Sequence, residues 1–278
     1  MQVKKIAGAL GAEISGLDLS KGVSAILAAD IRQVFLEHQV IFLRHQDLTP
    51  AQFLGFAQAM GQPIEYPFVK GIEGFAHIIE VKKLAHEKVN FGGIWHSDTT
   101  YLDVPPMGSM LLAKAVPPYG GDTLFANQYL AYEALSDTMK RLLTGLKGIS
   151  SSAKADVSKT REDRIKTDGK GEGAVAAPQQ FQALHPIVRT HPETGRKALY
   201  VNVAHTAGID GMTDAESAPI LNFLFTHQVK PEFTCRFAWE PHSLAFWDNR
   251  CTQHNPVNDY HGHLRLMHRI TLQGDKPV

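Results

Sequence analysis

The sequence predicts a mainly β protein, a double-sheet jelly roll with helices at its periphery. Short apolar runs bounded by glycine and proline are typical of buried strands, and they flank both histidine-bearing segments of the chain, at 95–101 and 247–254. Segments with helical periodicity lie outside these runs, as expected for helices around a jelly roll. A chain of 278 residues can bury one large core, and we expect a single domain over 1–278.

Two helices are predicted in the first quarter of the chain. Residues 23–38 carry apolar side chains at helical spacing. Thr49 is a good N-cap because proline follows it and Gln52 stands at the third helical position, so a second helix is expected to run to about Met60.

Two further helical segments are predicted in the second half. Residues 129–146 predict one or two helices, with Ser136 as the cap of the second. Thr213 and Glu216 form a capping-box pattern at the start of a helix over 214–227.

The other predicted elements are strands, which are inferred from short apolar runs. Residues 2–19 read as two extended pieces, and 62–93 as a loop with one short strand, because glycine and proline interrupt any period there. The strands are expected at 40–43, 77–81, 107–115, 123–126, 188–190, 198–203, 233–238 and 244–247.

Residues 150–182 differ in composition from the rest of the chain. They are rich in lysine, arginine, glycine and serine and contain few large apolar residues, so they cannot bury enough surface to offset their own ordering entropy. We expect a mobile insertion within the single domain. Its functional interpretation is a lid that orders over bound substrate, and the alternative is a flexible surface loop.

The composition excludes several classes of partner. Hydrophobic residues make up 44% of the chain and charged residues 20%, and the formal net charge is zero, which favours neither nucleic acid nor an anionic membrane surface. The two cysteines do not form a disulfide framework, and no apolar run has the length of a membrane helix. Without a signal-peptide pattern, the expected compartment is the cytoplasm.

Two histidines and a carboxylate suggest a metal site. His96 and Asp98 form a His-x-Asp unit, and His254 is predicted to lie in a polar turn after the apolar run 243–247. Two imidazoles and one carboxylate occupy one face of an octahedral metal and leave the other positions open, which suits non-haem Fe(II).

Two arginines follow at strand spacing. If 265–271 is a strand, Arg265, Met267, Arg269 and Thr271 share one face because side chains alternate along a strand. The two guanidinium groups then leave the backbone roughly 13 Å apart. This spacing predicts binding of two anionic groups near one centre.

These segments resemble the Fe(II)/2-oxoglutarate-dependent dioxygenases of the taurine dioxygenase and 2,4-dichlorophenoxyacetate dioxygenase (TauD/TfdA) family. The resemblance runs from the N-terminus nearly to the C-terminus and implies the double-stranded β-helix form of the jelly roll, with the metal at one mouth of the barrel. The matching segments are 10–16, 95–98, 120–123, 191–196, 247–250 and 253–254, with the Arg265 and Arg269 pair.

The resemblance assigns roles to the site residues. It implies Fe(II) held by His96, Asp98 and His254. It implies 2-oxoglutarate held through its distal carboxylate by Arg265 and Thr123, as well as use of O2. Hydroxylation of a small organic acid is then coupled to conversion of 2-oxoglutarate to succinate and CO2.

Substrate contacts are expected from Arg269 and from the segment before the His-x-Asp unit. By resemblance this segment lines the substrate pocket, and its candidate residues are Tyr66, Phe68, Asn90 and Phe91.

The chain departs from taurine dioxygenases in that pocket. Tyr66 stands where those enzymes have a histidine, and Gly92 and Gly93 occupy the neighbourhood of an asparagine that contacts taurine. We therefore expect a sulfonate or carboxylate substrate with an apolar or aryloxy body. A taurine dioxygenase that releases sulfite is the alternative.

Two rivals from other classes are a non-catalytic jelly-roll module that binds a small acid and a zinc hydrolase using the same three ligands. The full set of ligands and arginines argues against both. The remaining histidines are expected at surface or structural positions. Family relatives imply a homodimer or homotetramer.

Overall fold

The computed structural model describes residues 1–90, 92–154 and 180–278. Within these residues the chain forms sixteen strands and five α-helices. The helices are α1 Ala25–His38, α2 Pro50–Met60, α3 Gln128–Glu133, α4 Asp137–Leu143 and α5 Asp214–His227. The strands of the first half are β1 Gln2–Lys5, β2 Ala12–Ser15, β3 Val40–Leu43, β4 Pro63–Ile64, β5 Ile79–Lys83, β6 Gly108–Ala115, β7 Thr123–Asn127 and β8 Lys147–Ser151. Those of the second half are β9 Gln182–Pro186, β10 Val188–Thr190, β11 Lys197–Leu199, β12 Thr206–Ile209, β13 Thr234–Phe237, β14 Leu244–Asp248, β15 Thr252–Pro256 and β16 Arg265–Leu272.

Eight strands of the described residues form one large sheet. Its order is β1-β2-β3-β14-β6-β16-β4, and β5 pairs with the other half of β16. The pairs are antiparallel except that of β2 with β3. Smaller sheets are formed by β13-β7-β15, by β12-β8-β9 and by β10-β11.

The central strands of the large sheet, β3, β14, β6 and β16, are largely buried on both faces. Because side chains alternate along a strand, those on the two faces belong to two separate cores. On the outer face, Ile41, Phe246, Met110 and Ile270 pack with α1 and α2. On the inner face, a second set packs toward the smaller sheet β13-β7-β15, where its contacts include Phe125 and Phe237. That inner set is Val40, Phe42, Leu111, Ala113, Ala245, Trp247 and Met267.

Aromatic contacts join the two sheets across the inner core. The ring of Phe42 on β3 stacks on Phe237 of β13 at 4.0 Å and meets Phe125 of β7 edge-on at 5.6 Å. Two sheets packed face to face in this way, with helices outside, give a jelly roll. Residues of β15 and β16 line a common cavity beside this core.

The predicted helix signals hold in detail. Thr49 and Gln52 form a reciprocal capping box at α2, and the side chain of Ser136 accepts a hydrogen bond at the start of α4. The carboxylate of Glu216 accepts the backbone N–H of Thr213 at 2.8 Å at the start of α5. No helix in the described part of the chain is long and apolar enough to cross a membrane.

Three sequence predictions were wrong in position or kind. His254 lies on strand β15 and not in a turn, because the polar run that carries it pairs with β7. The strand expected at 77–81 is Ile79–Lys83. The strand expected at 198–203 ends at Leu199, after which the side chains of Asn202 and Thr206 form a turn by accepting backbone N–H groups.

The ends of the expected insertion are ordered. Strand β8 pairs with β9 through Ser151 and Gln182, and the backbone N–H of Ser152 donates to Phe181 at 2.9 Å. The insertion is therefore shorter than 150–182. Its centre, 155–179, lies outside the described residues, so a lid at this position stays a prediction.

Candidate active site

Two backbone hydrogen bonds place the predicted histidine ligands side by side. The N–H of His96 donates to the carbonyl of His254 at 3.0 Å, and the N–H of His254 donates to that of His96 at 2.8 Å. Their ring centroids lie 4.1 Å apart. Because β15 is held by β7, the segment that carries His96 and Asp98 is fixed to the edge of the smaller sheet.

The three predicted ligand side chains converge. The Nε2 atoms of His96 and His254 lie 3.7 and 3.9 Å from Oδ1 of Asp98. The three residues are buried, and one ligand atom from each lies within 4.8 Å of the others. This separation suits three ligands around one ion, since metal–ligand bonds of about 2 Å place ligand atoms roughly 3 Å apart.

Hydrogen bonds orient these ligands. The Oγ of Ser109 donates to Oδ2 of Asp98 at 2.7 Å, so Oδ1 is the oxygen that faces the histidines. Asn249 fixes the backbone of Asp98 and the hydroxyl of Ser109. Its Oδ1 accepts the N–H of Asp98 at 3.3 Å, and its Nδ2 donates to Ser109. Nδ1 of His96 lies 2.7 Å from the carbonyl of Ile94, which assigns the proton to Nδ1 and leaves Nε2 as a free lone pair.

The charge states match those of metal ligands. Burial lowers the pKa of His96 and of His254, so both rings are neutral near pH 7. Burial would raise the pKa of Asp98, but Arg269 and the two histidines lower it overall, and the carboxylate is ionised. Neutral imidazoles and an ionised carboxylate bind a divalent cation without first releasing protons.

The two predicted arginines lie on the inner face of β16. Arg265, Met267, Arg269 and Thr271 are all buried, as strand alternation predicted. Nη2 of Arg269 lies 2.9 Å from Oδ1 of Asp98, and its guanidinium is over the ring of Tyr66 at 5.1 Å. Nε and Nη2 of Arg265 have no hydrogen-bond partner in the described part of the chain. Buried N–H groups of this kind suit an anionic ligand.

Thr123 lies beside Arg265 in one cavity. Its Oγ1 accepts the indole N–H of Trp239 at 3.0 Å, so its own hydroxyl hydrogen can point to a ligand. The lining of this cavity is Val81, His96, Leu111, Thr123, Trp239, Trp247, His254, Pro256, Arg265 and Arg269.

Gly121 allows the close approach of Arg265. A Cβ at this position would lie 3.4 Å from Cδ of Arg265 and 3.2 Å from Cδ1 of Tyr260, and its φ of +70° favours glycine. Gly92 has a similar role next to the metal ligands. With φ +73°, a Cβ there would meet Cε1 of His96 at 3.0 Å.

The other predicted pocket residues are divided between two places. Tyr66 and Phe68 are in edge contact at 5.8 Å, and Phe68 also contacts Tyr101 at 5.8 Å and Phe181 at 5.6 Å. We call Tyr66, Phe68, Tyr101 and Phe181 the aromatic cluster. It lies on the Arg269 side of the metal ligands.

Asn90 lies elsewhere. It is buried, and its Nδ2 donates to the carbonyl of Pro256 at 2.9 Å. It lines a second, smaller cavity that shares Arg265 with the first and does not contact the aromatic cluster there. Phe91 lies outside the described residues.

Sequence reasoning assigned no role to His205 beyond surface or structure. The structure buries it against His96, with ring centroids 6.0 Å apart, and against Tyr101 at 5.0 Å. Its Nδ1 is 3.0 Å from the hydroxyl of Thr100, which holds the turn after Asp98. No periodicity or motif identifies this position, because its neighbours come from a segment about a hundred residues earlier.

A buried charge network supports the site from the side of α1. Nε2 of His191 and the guanidinium of Arg250 both contact Oδ2 of Asp248, at 3.0 and 2.7 Å. Glu193 joins this network through Arg250 at 2.6 Å and through an ion pair with Arg32. Asp248 ends β14, so the network fixes the turn from which β15 starts.

Comparison with known proteins gives consistent likenesses over the whole chain. The profile of the family described as "Taurine catabolism dioxygenase TauD, TfdA family" matches residues 2–271. The alkylsulfatase of Acinetobacter baylyi is 33% identical over 99% of this chain and 86% of its own. The alpha-ketoglutarate-dependent sulfate ester dioxygenase of Pseudomonas putida is 32% identical over 100% of this chain and 91% of its own.

A solved structure shows the same architecture. A putative alpha-ketoglutarate-dependent taurine dioxygenase from Burkholderia xenovorans superposes with a TM-score of 0.83 at 35% identity, over 100% of this chain and 94% of that one. The likeness confirms the predicted mainly β jelly roll with peripheral helices.

Proposed function

The chain belongs to the TauD/TfdA family of 2-oxoglutarate-dependent dioxygenases, and on this premise we propose that it uses Fe(II) and O2 to hydroxylate a small organic acid with an apolar body. The observation that carries the proposal is one buried site that brings together two imidazoles, a carboxylate and two inward arginines. A dioxygenase requires all of these, whereas a binding module requires no open-faced metal site.

The residues present fit the metal. His96, Asp98 and His254 would hold Fe(II) on one face, and Ser109 and Ile94 keep their ligand atoms turned inward. Bound Fe(II) would supply O2 activation coupled to conversion of 2-oxoglutarate to succinate and CO2. The zinc-hydrolase alternative leaves the two arginines without a role.

Arg265 and Thr123 would hold the distal carboxylate of 2-oxoglutarate. The guanidinium of Arg265 is buried with unpartnered N–H groups, and a carboxylate satisfies such groups by two parallel hydrogen bonds. The Thr123 hydroxyl adds a neutral donor at the same end of the cavity. The surrounding Trp239, Leu111 and Val81 exclude water, which strengthens both interactions.

Arg269 would bind the anionic group of the substrate. It lies between Asp98 and Tyr66, so an anion paired with it is next to the metal ligands and at the edge of the aromatic cluster. An apolar substrate body would pack against Phe68, Tyr101 and Phe181, and its first carbon would then face the metal.

This arrangement favours a sulfate ester, sulfonate or carboxylate with an alkyl or aryl body over taurine. Hydroxylation at the carbon next to the ester oxygen gives a product that breaks into an aldehyde and the free anion. Two relatives are named for sulfate esters, which supports this class of substrate. Taurine lacks an apolar body, so it would leave the apolar surface of the aromatic cluster uncovered.

Two measurements test the proposal. Anaerobic titration of Fe(II)-loaded protein with 2-oxoglutarate should produce a weak visible absorption band, and this band should be lost in His96→Ala and Arg265→Ala. In air, succinate release should be fast with a medium-chain alkyl sulfate or an aryloxyacetate and slow with taurine. Brisk turnover of taurine alone would refute the proposed substrate class.

A further inference from the structure

Lys83 is a buried lysine next to the proposed cosubstrate site. It ends β5 and lies directly opposite Arg265 in the antiparallel pair of β5 with β16. Opposed residues of a strand pair point to the same face, with Cβ atoms about 5 Å apart. The side chain of Lys83 is therefore the nearest cross-strand neighbour of Arg265, on the inner face of the sheet.

The ammonium group of Lys83 has no conventional partner. The residue is 2% exposed, and its Nζ finds no hydrogen-bond partner in the described part of the chain. Its one close contact is the ring of Tyr260, with Nζ 4.2 Å from the centroid. A cation–π contact orients the group but leaves its three N–H donors unused.

Lys83 and Arg265 face a common cavity. With Asn90 and Tyr260 they line the smaller cavity. Arg265 and Val81 line both cavities, so the two cavities are neighbours at this strand pair.

Two buried cations side by side are costly unless an anion lies near them. Among the described residues, Nζ of Lys83 and Nε and Nη2 of Arg265 have no hydrogen-bond partner, although the charge of Glu87 acts on Lys83 and that of Asp122 on Arg265. The carboxylate of Asp122, on the Arg265 side, is instead bound to Arg236 at 2.6 Å. Burial lowers the pKa of both Lys83 and Arg265, because a buried group is more costly in its charged form than in its neutral form.

We infer that Lys83 is a second cation for the C5 carboxylate of 2-oxoglutarate and acts together with Arg265. The inference rests on the proposed function, because it takes 2-oxoglutarate as the ligand of Arg265. Arg265 donates bidentate hydrogen bonds to the carboxylate, and Lys83 supplies a second positive charge next to them. A purely structural Lys83 would gain the cation–π contact with Tyr260 and the attraction of Glu87, and would leave its N–H donors without a hydrogen-bond acceptor.

The test is calorimetric titration of the full chain, with Mn(II) in place of Fe(II) so that no turnover occurs. The probes are 2-oxoglutarate and 2-oxobutanoate, which has the same chelating end but no distal carboxylate. The variants are Lys83→Met, which keeps the shape of the side chain, Lys83→Arg, which keeps the charge, and Lys114→Met as control. Lys114 is a partly exposed lysine on β6, which pairs with β16 on the side opposite to β5.

Lys83→Met is expected to weaken 2-oxoglutarate binding by roughly 10- to 100-fold, the range for a hydrogen bond to a charged group. It should change 2-oxobutanoate binding by less than about 2-fold, because that probe lacks the carboxylate that Lys83 would contact. Lys83→Arg should retain most of the affinity, and Lys114→Met all of it. The melting temperature of Lys83→Met should equal or exceed that of the wild type, since an unpaired buried charge is replaced by an apolar group.

Three outcomes overturn the inference. In the first, Lys83→Met binds 2-oxoglutarate as the wild type does. In the second, it weakens both probes equally, which indicates a structural role. In the third, wild-type protein binds 2-oxobutanoate as tightly as 2-oxoglutarate. Wild-type protein that binds neither probe would instead overturn the proposed function, and the inference with it.

Discussion

The hydroxyl of Ser109 donates to Oδ2 of Asp98 at 2.7 Å, from the strand that lies next to β16. This bond uses one oxygen of the carboxylate and leaves the other for a metal. Ser109→Ala should therefore weaken binding of Fe(II) by about tenfold, the lower end of the effect of losing a group that orients a metal ligand. Fe(II) or Mn(II) affinity is measured by competition with a chelator.

Ser136→Ala is the matched control for that change. It removes a serine hydroxyl that caps α4, far from the ligands, so it should lower stability and leave metal affinity unchanged. Equal metal affinity in the wild type and Ser109→Ala would show that Asp98 is oriented without this bond.

Comparison of Gly92 with Gly74 separates the effect of backbone strain from the effect of a steric contact with His96. Both have positive φ, +73° and +77°, but only at Gly92 would a Cβ meet a neighbour, His96 at 3.0 Å. Alanine at either position should cost about 1 kcal/mol of stability because of the left-handed backbone. Gly92→Ala alone should also lower metal affinity, since His96 must shift. Metal titration and thermal unfolding of the two variants test this prediction. Loss of metal affinity in both variants would contradict it.

The buried carboxylate of Asp248 predicts a dependence of stability on pH. Burial would raise its pKa, but Arg250 and His191 lower it overall, so its folded pKa is below the unfolded value of about 3.9. Its contribution to stability is thus fully present above that value and is lost as pH falls through the lower folded pKa. Asp248→Asn should lose about 3 kcal/mol at pH 7, because it leaves Arg250 without its buried partner.

Denaturant unfolding at a series of pH values measures this effect. The difference between wild type and Asp248→Asn should narrow as pH falls below about 4. Asp30→Asn, at an exposed position of α1, serves as control and should follow the wild type throughout. A constant difference over the whole range would show that Asp248 stabilises by shape and not by charge.

The aromatic cluster predicts the preference for substrates with an apolar body. Phe68 contacts Tyr66, Tyr101 and Phe181, so Phe68→Ala removes its central ring. We expect KM for a medium-chain alkyl sulfate to rise about tenfold, with the affinity for 2-oxoglutarate unchanged. Succinate release at varied substrate gives KM. Phe223→Ala, on the exposed face of α5, should change neither value. An equal rise of KM in Phe223→Ala would exclude a specific contact between Phe68 and the substrate.

The sequence anticipated those features that local chemistry determines. The capping patterns at Thr49 and Thr213 gave helix starts that agree with the structure, and the alternation at Arg265 to Thr271 placed both arginines inward. The ligand triad was predicted from His96, Asp98 and His254, and the structure brings these residues together.

The features that failed depend on distant partners. His254 seemed to be in a turn because Thr-Gln-His-Asn-Pro has no apolar alternation, yet β7 pairs with it and the ring faces the site. Asn90 was assigned to the substrate pocket from its position before the His-x-Asp unit; it lines the smaller cavity, where it is bound to Pro256, and its contact with substrate stays a prediction. Lys83 has no local signal, because only its pairing with β16 brings it to Arg265.

The mutual backbone hydrogen bonds of His96 and His254 have a consequence for the order of assembly. These residues are separated by 254 − 96 = 158 positions, and each uses its main chain to hold the other. A contact of such long range closes a large loop and belongs to the slow, topology-limited part of folding. Because these bonds join main-chain atoms, folding of the chain itself aligns the two predicted ligands. Metal uptake should therefore follow folding and not nucleate it, in contrast to small zinc domains that are unfolded without their metal.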